Sequence, residues 1–335
     1  MNISPSIGII GAGSWGTALA EVLAENGYYP LFWTRSNEIS QEINSNHTNS
    51  LFLPGTILHK NITATSNIDT LQSLDTIIIT VPTQFIREVL TEHNTVLKDK
   101  IIISGSKGIE VHTLLTVSGI LKDIGQTDDD HYVVLSGPSH AEEVVKHVPT
   151  TVMAASSNQI QAEYVQNLFN NSYFRVYTSS DTIGAELGGA LKNVIAIAAG
   201  IIDGLKMGDN TKAALITRGL AEMSRLGTIL GADPRTFAGL SGLGDLFVTC
   251  SSKHSRNRYV GEEIGKGRNI KEIISEMNMV AEGVATTESA WQLSITHKVD
   301  MPIIEQTYQI LFNDKNPMQA IYDLMIREKK SEHMQ

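Results

Sequence analysis

Glu186 to Gly200 reads ELGGALKNVIAIAAG, and Lys192 is the only basic residue in it. On a helix its neighbours at i−4, i−3, i+3 and i+4 are Gly188, Gly189, Ile195 and Ala196, a small, apolar face with no acid to neutralise the amine. Two readings are open for an ammonium in that position. It snorkels to the surface on its apolar stem, or it is desolvated, its pKa falls, and it can exchange protons near neutrality. The small residues beside it would let a substrate or another backbone come close.

A second constellation, Gly11-Ala12-Gly13-Ser14-Trp15-Gly16, is G-x-G-x-x-G directly after the apolar run Ile7-Gly8-Ile9-Ile10 and before the helical pattern Thr17-Ala18-Leu19-Ala20. The spacing predicts a dinucleotide cradle. Gly11 serves the tight turn, Gly13 the approach of a pyrophosphate and Gly16 close helix–strand packing, while the helix N-terminus offers free N–H groups to phosphate. A merely structural turn is the alternative. The next strand ends at Trp33-Thr34-Arg35-Ser36, where an NAD-preferring site has Asp or Glu. Arg35 suits a 2′-phosphate, so NADP(H) is favoured or tolerated over NAD(H) alone, unless the guanidinium only lies across the adenine or points to solvent.

Three further strand ends face the same crevice. In Val81-Pro82-Thr83-Gln84-Phe85 the proline breaks the strand and Phe85 could pack on a nicotinamide; Ser104-Gly105-Ser106-Lys107-Gly108 presents Lys107 between glycines; Ser136-Gly137-Pro138-Ser139 precedes Ala141. There Gly137 permits close backbone approach, and Ser139 would cap the next helix or bind a ligand. Each alone reads equally well as an ordinary turn; the cradle makes Lys107 a site candidate. Later, Ser241-Gly242-Leu243-Gly244-Asp245 presents one carboxylate able to pair with a lysine, and Lys253-His254-Ser255-Arg256-Asn257-Arg258 gathers three cations in a chain of net charge −10. Ser255, Arg256 and Asn257 have the donor types for a phosphate, and a helix starting at Ser255 would add N–H groups.

The elements that must position these residues divide the 335-residue chain in two. Strands are expected at Ser6–Ile10, Pro30–Thr34, Thr76–Val81, Lys100–Ser104, Tyr132–Ser136, Thr150–Ala154 and Phe174–Thr178, with helices between them at Gly16–Glu25, Ile39–Asn44, Thr83–Leu97, Leu114–Leu121, His140–Lys146 and Ile160–Phe169. The alternation, with continuous runs such as Ile77-Ile78-Ile79, predicts an α/β, doubly wound (Rossmann), mostly parallel sheet over residues 1–179. After Ser180 long Ala-, Gly- and Leu-rich patterns predict an all-helical domain over 180–335.

The acidic balance argues against a nucleic-acid or anionic-membrane partner. The longest apolar stretch, Val194 to Ile202, is too short to span a bilayer, so no membrane insertion is expected. Cys250 is the only cysteine, which excludes an intrachain disulfide and leaves no metal-ligand spacing; no metal is expected. A reducing, cytoplasmic setting fits, and MNISPSIGIIGAG carries no signal-peptide pattern.

The strings GAGSWGTALA, VPTQF, SKGIE, LSGPSHAEEV, ELGGALKNVIAIAAG, SGLGDLFVTC and SRNR stand in this order. In them the chain closely resembles, from about Ile7 to Ile326, the bacterial-type NAD(P)-dependent glycerol-3-phosphate dehydrogenases. The resemblance implies interconversion of dihydroxyacetone phosphate and sn-glycerol 3-phosphate for phospholipid synthesis. It implies Lys192 as proton donor and acceptor, with Lys107, Gly137, Ser139, Asn193, Asp245, Thr249, Ser255, Arg256 and Asn257 about the substrate. Gly11, Gly13, Ser14, Trp15, Gly16, Arg35, Phe85, Lys107, Ala141, Arg256, Val280 and Glu282 would contact the cofactor. A homodimer is expected from the family. A β-hydroxyacid dehydrogenase is the nearest rival, but such enzymes typically place Asn four residues after the lysine, where this chain has Ala196. A non-catalytic NADP(H)-sensing module would need the cradle without Lys192, Lys107 and Asp245 together.

Overall fold

The computed structural model describes residues 5–93, 95–329, 331 and 332. Strands β1 (Ile7–Ile10), β2 (Leu31–Trp33), β3 (Thr63–Thr65), β4 (Thr76–Ile79), β5 (Ile101–Ser104), β6 (Tyr132–Ser136), β7 (Thr150–Ala155) and β8 (Phe174–Ser179) form one sheet in the order β3-β2-β1-β4-β5-β6-β7-β8. Every neighbouring pair is parallel except β6 and β7, where Leu135 faces Ala154. Helices α1 (Ser14–Glu25), α2 (Asn37–Asn46), α3 (Thr83–Glu92), α4 (Val117–Asp123), α5 (Ala141–Val144) and α6 (Gln159–Phe169) connect the strands.

The central strands are apolar throughout because both faces are covered. Ile78 and Ile103 join one buried cluster with α1 and α6 residues, while Ile77, Ile79 and Ile102 join another with α3 and α4 residues. The two-residue alternation of strand side chains therefore feeds two cores. The order outward from β1 reverses between β1 and β4, so the crevice at their carboxyl ends is the switch point where such sheets bind ligands.

Three sequence expectations shift. β3 is a three-residue Thr-Ala-Thr edge strand with no apolar run to announce it. Helix α3 stops at Glu92 rather than Leu97; Val96 and Leu97 still reach the core, from a turn closed by Val96 N–H on the His93 carbonyl at 3.1 Å. The strand expected to run to Val81 ends at Ile79, and Thr80 Oγ1 donates to the Gly11 carbonyl at 2.7 Å.

Beyond β8 the described residues are helical: α7 (Thr182–Gly204), α8 (Asp209–Ile229), α9 (Pro234–Phe237), α10 (Asp245–Ser251), α11 (Arg256–Gly265), α12 (Ile270–Glu276), α13 (Glu282–Thr296), α14 (Pro302–Phe312) and α15 (Pro317–Met325). Among the described residues α7 alone is long and apolar enough to cross a membrane, but 94% of that window is buried inside the protein, wrapped by α8, α10, α11 and α13. It is the central core helix.

Its closest neighbour is α11. A Cβ on Gly261 would lie 1.9 Å from the Ile197 carbonyl oxygen, one on Gly200 2.0 Å from that of Arg258, and one on Gly265 2.5 Å from that of Ile201. Glycines spaced by four on both helices let the backbones touch. That contact sets the distance between Lys192–Asn193 on α7 and Arg256–Asn257 on α11.

Candidate active site

The cradle folds as its glycines require. Gly11 has φ +108°, and a Cβ on Gly16 would meet the Gly11 carbonyl oxygen at 2.3 Å and Thr80 Oγ1 at 2.5 Å. Gly13 is different: a Cβ there would meet nothing within 4 Å, because the residue opens onto a cavity of about 560 Å³. The turn is fastened by Asn49 Nδ2, which donates to the Ala12 carbonyl and to Thr17 Oγ1, each at 2.9 Å. Asn49 gave no signal in the sequence.

The cavity runs from this cradle along the strand ends to α7. Its wall carries Gly11, Gly13, Ser14, Trp15, Arg35 and Phe85 at one end, and Lys107, Ser139, Ala141, Lys192, Asn193 and Thr249 at the other. Ser255, Arg256, Asn257, Val280 and Glu282 close it from the helical half. The open Gly13 backbone and the Trp15 Nε1 proton, buried without a partner, fit a dinucleotide. Expected site residues Gly16, Gly137 and Asp245 are off the wall. Gly16 packs the cradle. Gly137 (φ +140°) lets the backbone approach β7, where a Cβ would be 3.0 Å from Val152 Cα, and its carbonyl accepts from Lys107 Nζ at 3.1 Å. Its close approach is thus to protein, not ligand.

Asp245 lies beneath the wall at the start of α10, after a π-helical turn over Leu240–Gly244. A Cβ on Gly188 would sit 2.4 Å from the Ser241 carbonyl oxygen, and one on Gly189 3.1 Å from Ser136 Oγ. The small residues beside Lys192 therefore admit this turn and β6, not substrate. The result is a three-membered charge cluster. Lys192 Nζ donates to Asp245 Oδ1 and to Thr249 Oγ1, the latter at 2.8 Å; Lys107 Nζ donates to Asp245 Oδ2 at 2.7 Å. Thr249 Oγ1 in turn donates to the Asp245 carbonyl at 2.6 Å.

The electrostatics follow from burial. Desolvation is the largest influence on Lys192; Asp245 opposes it, Lys107 adds to it, and the amine is lowered to about 8. Burial also opposes ionisation of Asp245, but the two lysines outweigh it and hold the carboxyl below its ordinary value. Two cations share one anion, so the site keeps one net positive charge.

The basic hexapeptide divides in the structure. Arg258 pairs with Asp203 and Glu262 and is structural. Arg256 is exposed on the cavity wall and makes no hydrogen bond or ion pair among the described residues. Ser255 Oγ caps α11 by accepting from Arg258 N–H at 3.1 Å. Asn257 Nδ2 donates to Asn193 Oδ1 at 2.9 Å, and Asn257 Oδ1 accepts from Gly283 N–H at 2.9 Å, so this amide also ties α7, α11 and α13 together. Ser139 caps nothing; its hydroxyl donates to the Gly137 carbonyl at 2.9 Å.

Glu282 is half-buried at the first position of α13. It accepts from Thr83 N–H at 2.8 Å and Thr83 Oγ1 at 3.2 Å, supplying the cap that α3 lacks, and burial pushes its carboxyl up to about 7. Residues 278–280 lean over the cradle, where Ser14 Oγ meets Met279 Sδ at 3.3 Å. Sequence reasoning missed this segment's Asn278 and Met279, and also His140, whose ring lies 5.9 Å from that of His254 beside the lysine.

A dinucleotide cradle opening onto a buried, carboxylate-held lysine defines a nicotinamide-dependent dehydrogenase. The N-terminal model of NAD-dependent glycerol-3-phosphate dehydrogenase matches residues 6–162 and the C-terminal model residues 181–322. The chain is 53% identical over 327 residues to the glycerol-3-phosphate dehydrogenase (NAD(P)+) of Lysinibacillus sphaericus, covering 97% of each chain. It is 50% identical over 330 residues to that of Enterococcus faecalis, covering 98% of this chain and 97% of the relative. Among solved structures, the glycerol-3-phosphate dehydrogenase of Coxiella burnetii superposes with a TM-score of 0.91 at 37% identity, over 97% of this chain and 99% of that one. The chain belongs to the NAD-dependent glycerol-3-phosphate dehydrogenase family. It is an NAD(P)-dependent oxidoreductase acting on glycerol 3-phosphate and dihydroxyacetone phosphate.

Proposed function

We propose that Lys192 is the general acid and base of this dehydrogenase. The observation that carries the reading is Lys192 on the cavity wall, held from beneath by buried Asp245, with the amine lowered to about 8. A bound nicotinamide supplies the hydride that reduces the ketone carbon, or takes it in the reverse direction. Charge then grows on the ketone oxygen, and the Lys192 ammonium stabilises it and delivers a proton there. In oxidation, neutral Lys192 takes the proton from the C2 hydroxyl. Asp245 stays ionised and aims the amine with Thr249, while Lys107 adds positive potential and Asn193 orients the substrate.

Arg256, unpaired on the wall, grips the phosphate with Ser255 and Asn257, and this remote hold aligns the carbonyl. Gly137, through its bond to Lys107, and Ser139 shape the floor. Gly11, Gly13, Ser14, Trp15, Phe85, Ala141, Val280 and Glu282 form the cofactor cleft, with Gly16 behind the cradle and Arg35 facing a 2′-phosphate. The domains divide as 1–179 and 180–335, a reading supported by β8 ending at Ser179 and α7 starting at Thr182. Exposed Met318, Tyr322 and Met325 on α15, with Ile326 just beyond, support a homodimer; one buried free cysteine supports a cytoplasmic setting. The product would supply glycerophospholipid synthesis.

The test is Lys192→Ala assayed with NADPH and dihydroxyacetone phosphate. Turnover is expected to vanish while NADPH binding, followed by fluorescence, persists. Undiminished turnover would remove Lys192 from the chemistry.

A further inference from the structure

Both groups on the cavity wall that a 2′-phosphate would reach are already held by carboxylates. Arg35 Nη2 lies 3.4 Å from Glu88 Oε1 on α3, and both side chains are more than half exposed, at 60% and 58%. Ser36 Oγ donates to Glu38 Oε2 at 2.6 Å while accepting from Ile39 N–H as the cap of α2. Arg35 and Ser36 line the cavity; Glu38 and Glu88 do not, and grip them from outside it.

We propose that Glu38 and Glu88 are specificity-determining residues that set the balance between NADPH and NADH by competing with the 2′-phosphate for Arg35 and Ser36. The inference rests on the reading of Arg35 as the group that faces the 2′-phosphate. Its physical basis is charge. A phosphate monoester brings about −1.5 to −2 charges toward a guanidinium whose partner is already an anion. Binding NADPH requires Arg35 to turn from Glu88 and Ser36 to release its proton from Glu38, with two carboxylates left beside the incoming dianion. NADH brings a neutral hydroxyl instead, which can donate to a carboxylate, the arrangement by which acidic residues at this strand end favour NAD. One cation and one hydroxyl, each already engaged by an anion, therefore penalise NADPH without excluding it, and leave NADH a place to bind.

The exposed pair sets the scale. An ion pair of this kind is worth a factor of about five at most, and is screened over a Debye length of about 8 Å at physiological salt. Glu88→Gln is expected to lower the dissociation constant for NADPH two- to fivefold, as an order of magnitude from that ceiling. It should leave NADH unchanged or slightly weaker. Glu38→Gln together with Glu88→Gln should raise the NADPH-to-NADH ratio of kcat/KM by about tenfold at low ionic strength, and the gain should shrink in high salt. Both residues are exposed, so the variants keep the fold.

The experiment is a titration of each nucleotide against wild type, both single variants, the double variant and Arg35→Gln, read by protein fluorescence and by kcat/KM. If Arg35→Gln leaves NADPH binding intact, the reading of Arg35 fails, and this inference with it. If Arg35→Gln weakens NADPH but the double glutamine variant moves the ratio by less than about twofold, the carboxylates do not compete and the inference alone is overturned. A ratio that rises in the variants and converges on wild type in salt supports it.

Discussion

Asp245→Asn tests the charge cluster directly. The substitution keeps the shape but removes the one anion that Lys192 and Lys107 share, and turns one of its two acceptor oxygens into an NH2 donor. Two opposite charges about 4 Å apart interact by about 4 kcal/mol at an effective dielectric constant of about 20, and about 1.4 kcal/mol corresponds to one pKa unit. Losing Asp245 removes the attraction that holds the Lys192 pKa up, while the two influences that lower it, burial and the Lys107 ammonium, remain. The amine at about 8 should therefore fall by about three units at most, toward 5. Reduction of the ketone uses protonated Lys192, so its rate is full below the amine's pKa and lost as pH rises through it. In wild type that limb is expected near 8; in the variant it moves down, and reductive kcat/KM at neutral pH drops by about a hundredfold from protonation alone. Oxidation uses the neutral amine, so its rising limb should move the same way. The assay is kcat/KM for dihydroxyacetone phosphate and for glycerol 3-phosphate across pH, followed by NADPH absorbance. A reductive limb that stays near 8, or moves up, refutes the reasoning.

Two further outcomes follow from packing and burial. Glu282 has a folded pKa of about 7 against 4.5 for an unburied carboxyl, so its neutral form favours the fold. That contribution is present below about 4.5 and is lost as pH rises through 7, a swing of about 3 kcal/mol. Glu282→Gln keeps an oxygen for Thr83 N–H, so wild type should lose stability relative to the variant over that interval in urea melts, whereas a pH-independent difference would show that burial does not strain Glu282. Gly261→Ala would place a methyl 1.9 Å from the Ile197 carbonyl oxygen and should cost about 3 kcal/mol or more by forcing α7 from α11. Gly244→Ala, whose Cβ meets nothing closer than 3.5 Å, serves as its control, and equal melting of the two variants would contradict the close helix contact.

The cradle, the parallel sheet and Lys192 were legible because each has a local signal: a glycine spacing after a strand, β-branched runs, a charge in an apolar helix. What was illegible is long-range. The antiparallel β6–β7 pairing depends on which edge β7 docks against, and nothing in Thr150–Ala155 encodes it. The glycines beside Lys192 were visible as an invitation to something close, but whether that was substrate or backbone depended on a turn more than fifty residues away. Asp245 was recognisable as a counter-charge for one lysine; that it bridges two required the fold.

The same limit applies to the capping glutamates, and it explains how the two halves of the chain share one site. Helices α3, α4 and α14 have no side-chain cap of their own. Each is capped from afar: α3 by Glu282, α4 by Glu186 through Ser118 N–H at 2.8 Å, and α14 by Glu222 through Ile303 N–H at 2.8 Å. A carboxylate at a helix N-terminus satisfies orphan N–H groups and meets the positive end of the helix dipole. Buried, it also becomes costly to separate from that partner. Glu186 and Glu282 belong to the helical half, yet the helices they cap hang from the sheet. Glu186 stands at the start of the helix that carries Lys192, and Glu282 on the cavity wall beside Arg256. The caps thus fix the lysine and the proposed phosphate grip against the cofactor cradle. A local signal for either was absent because its partner lies 68 or 199 residues away.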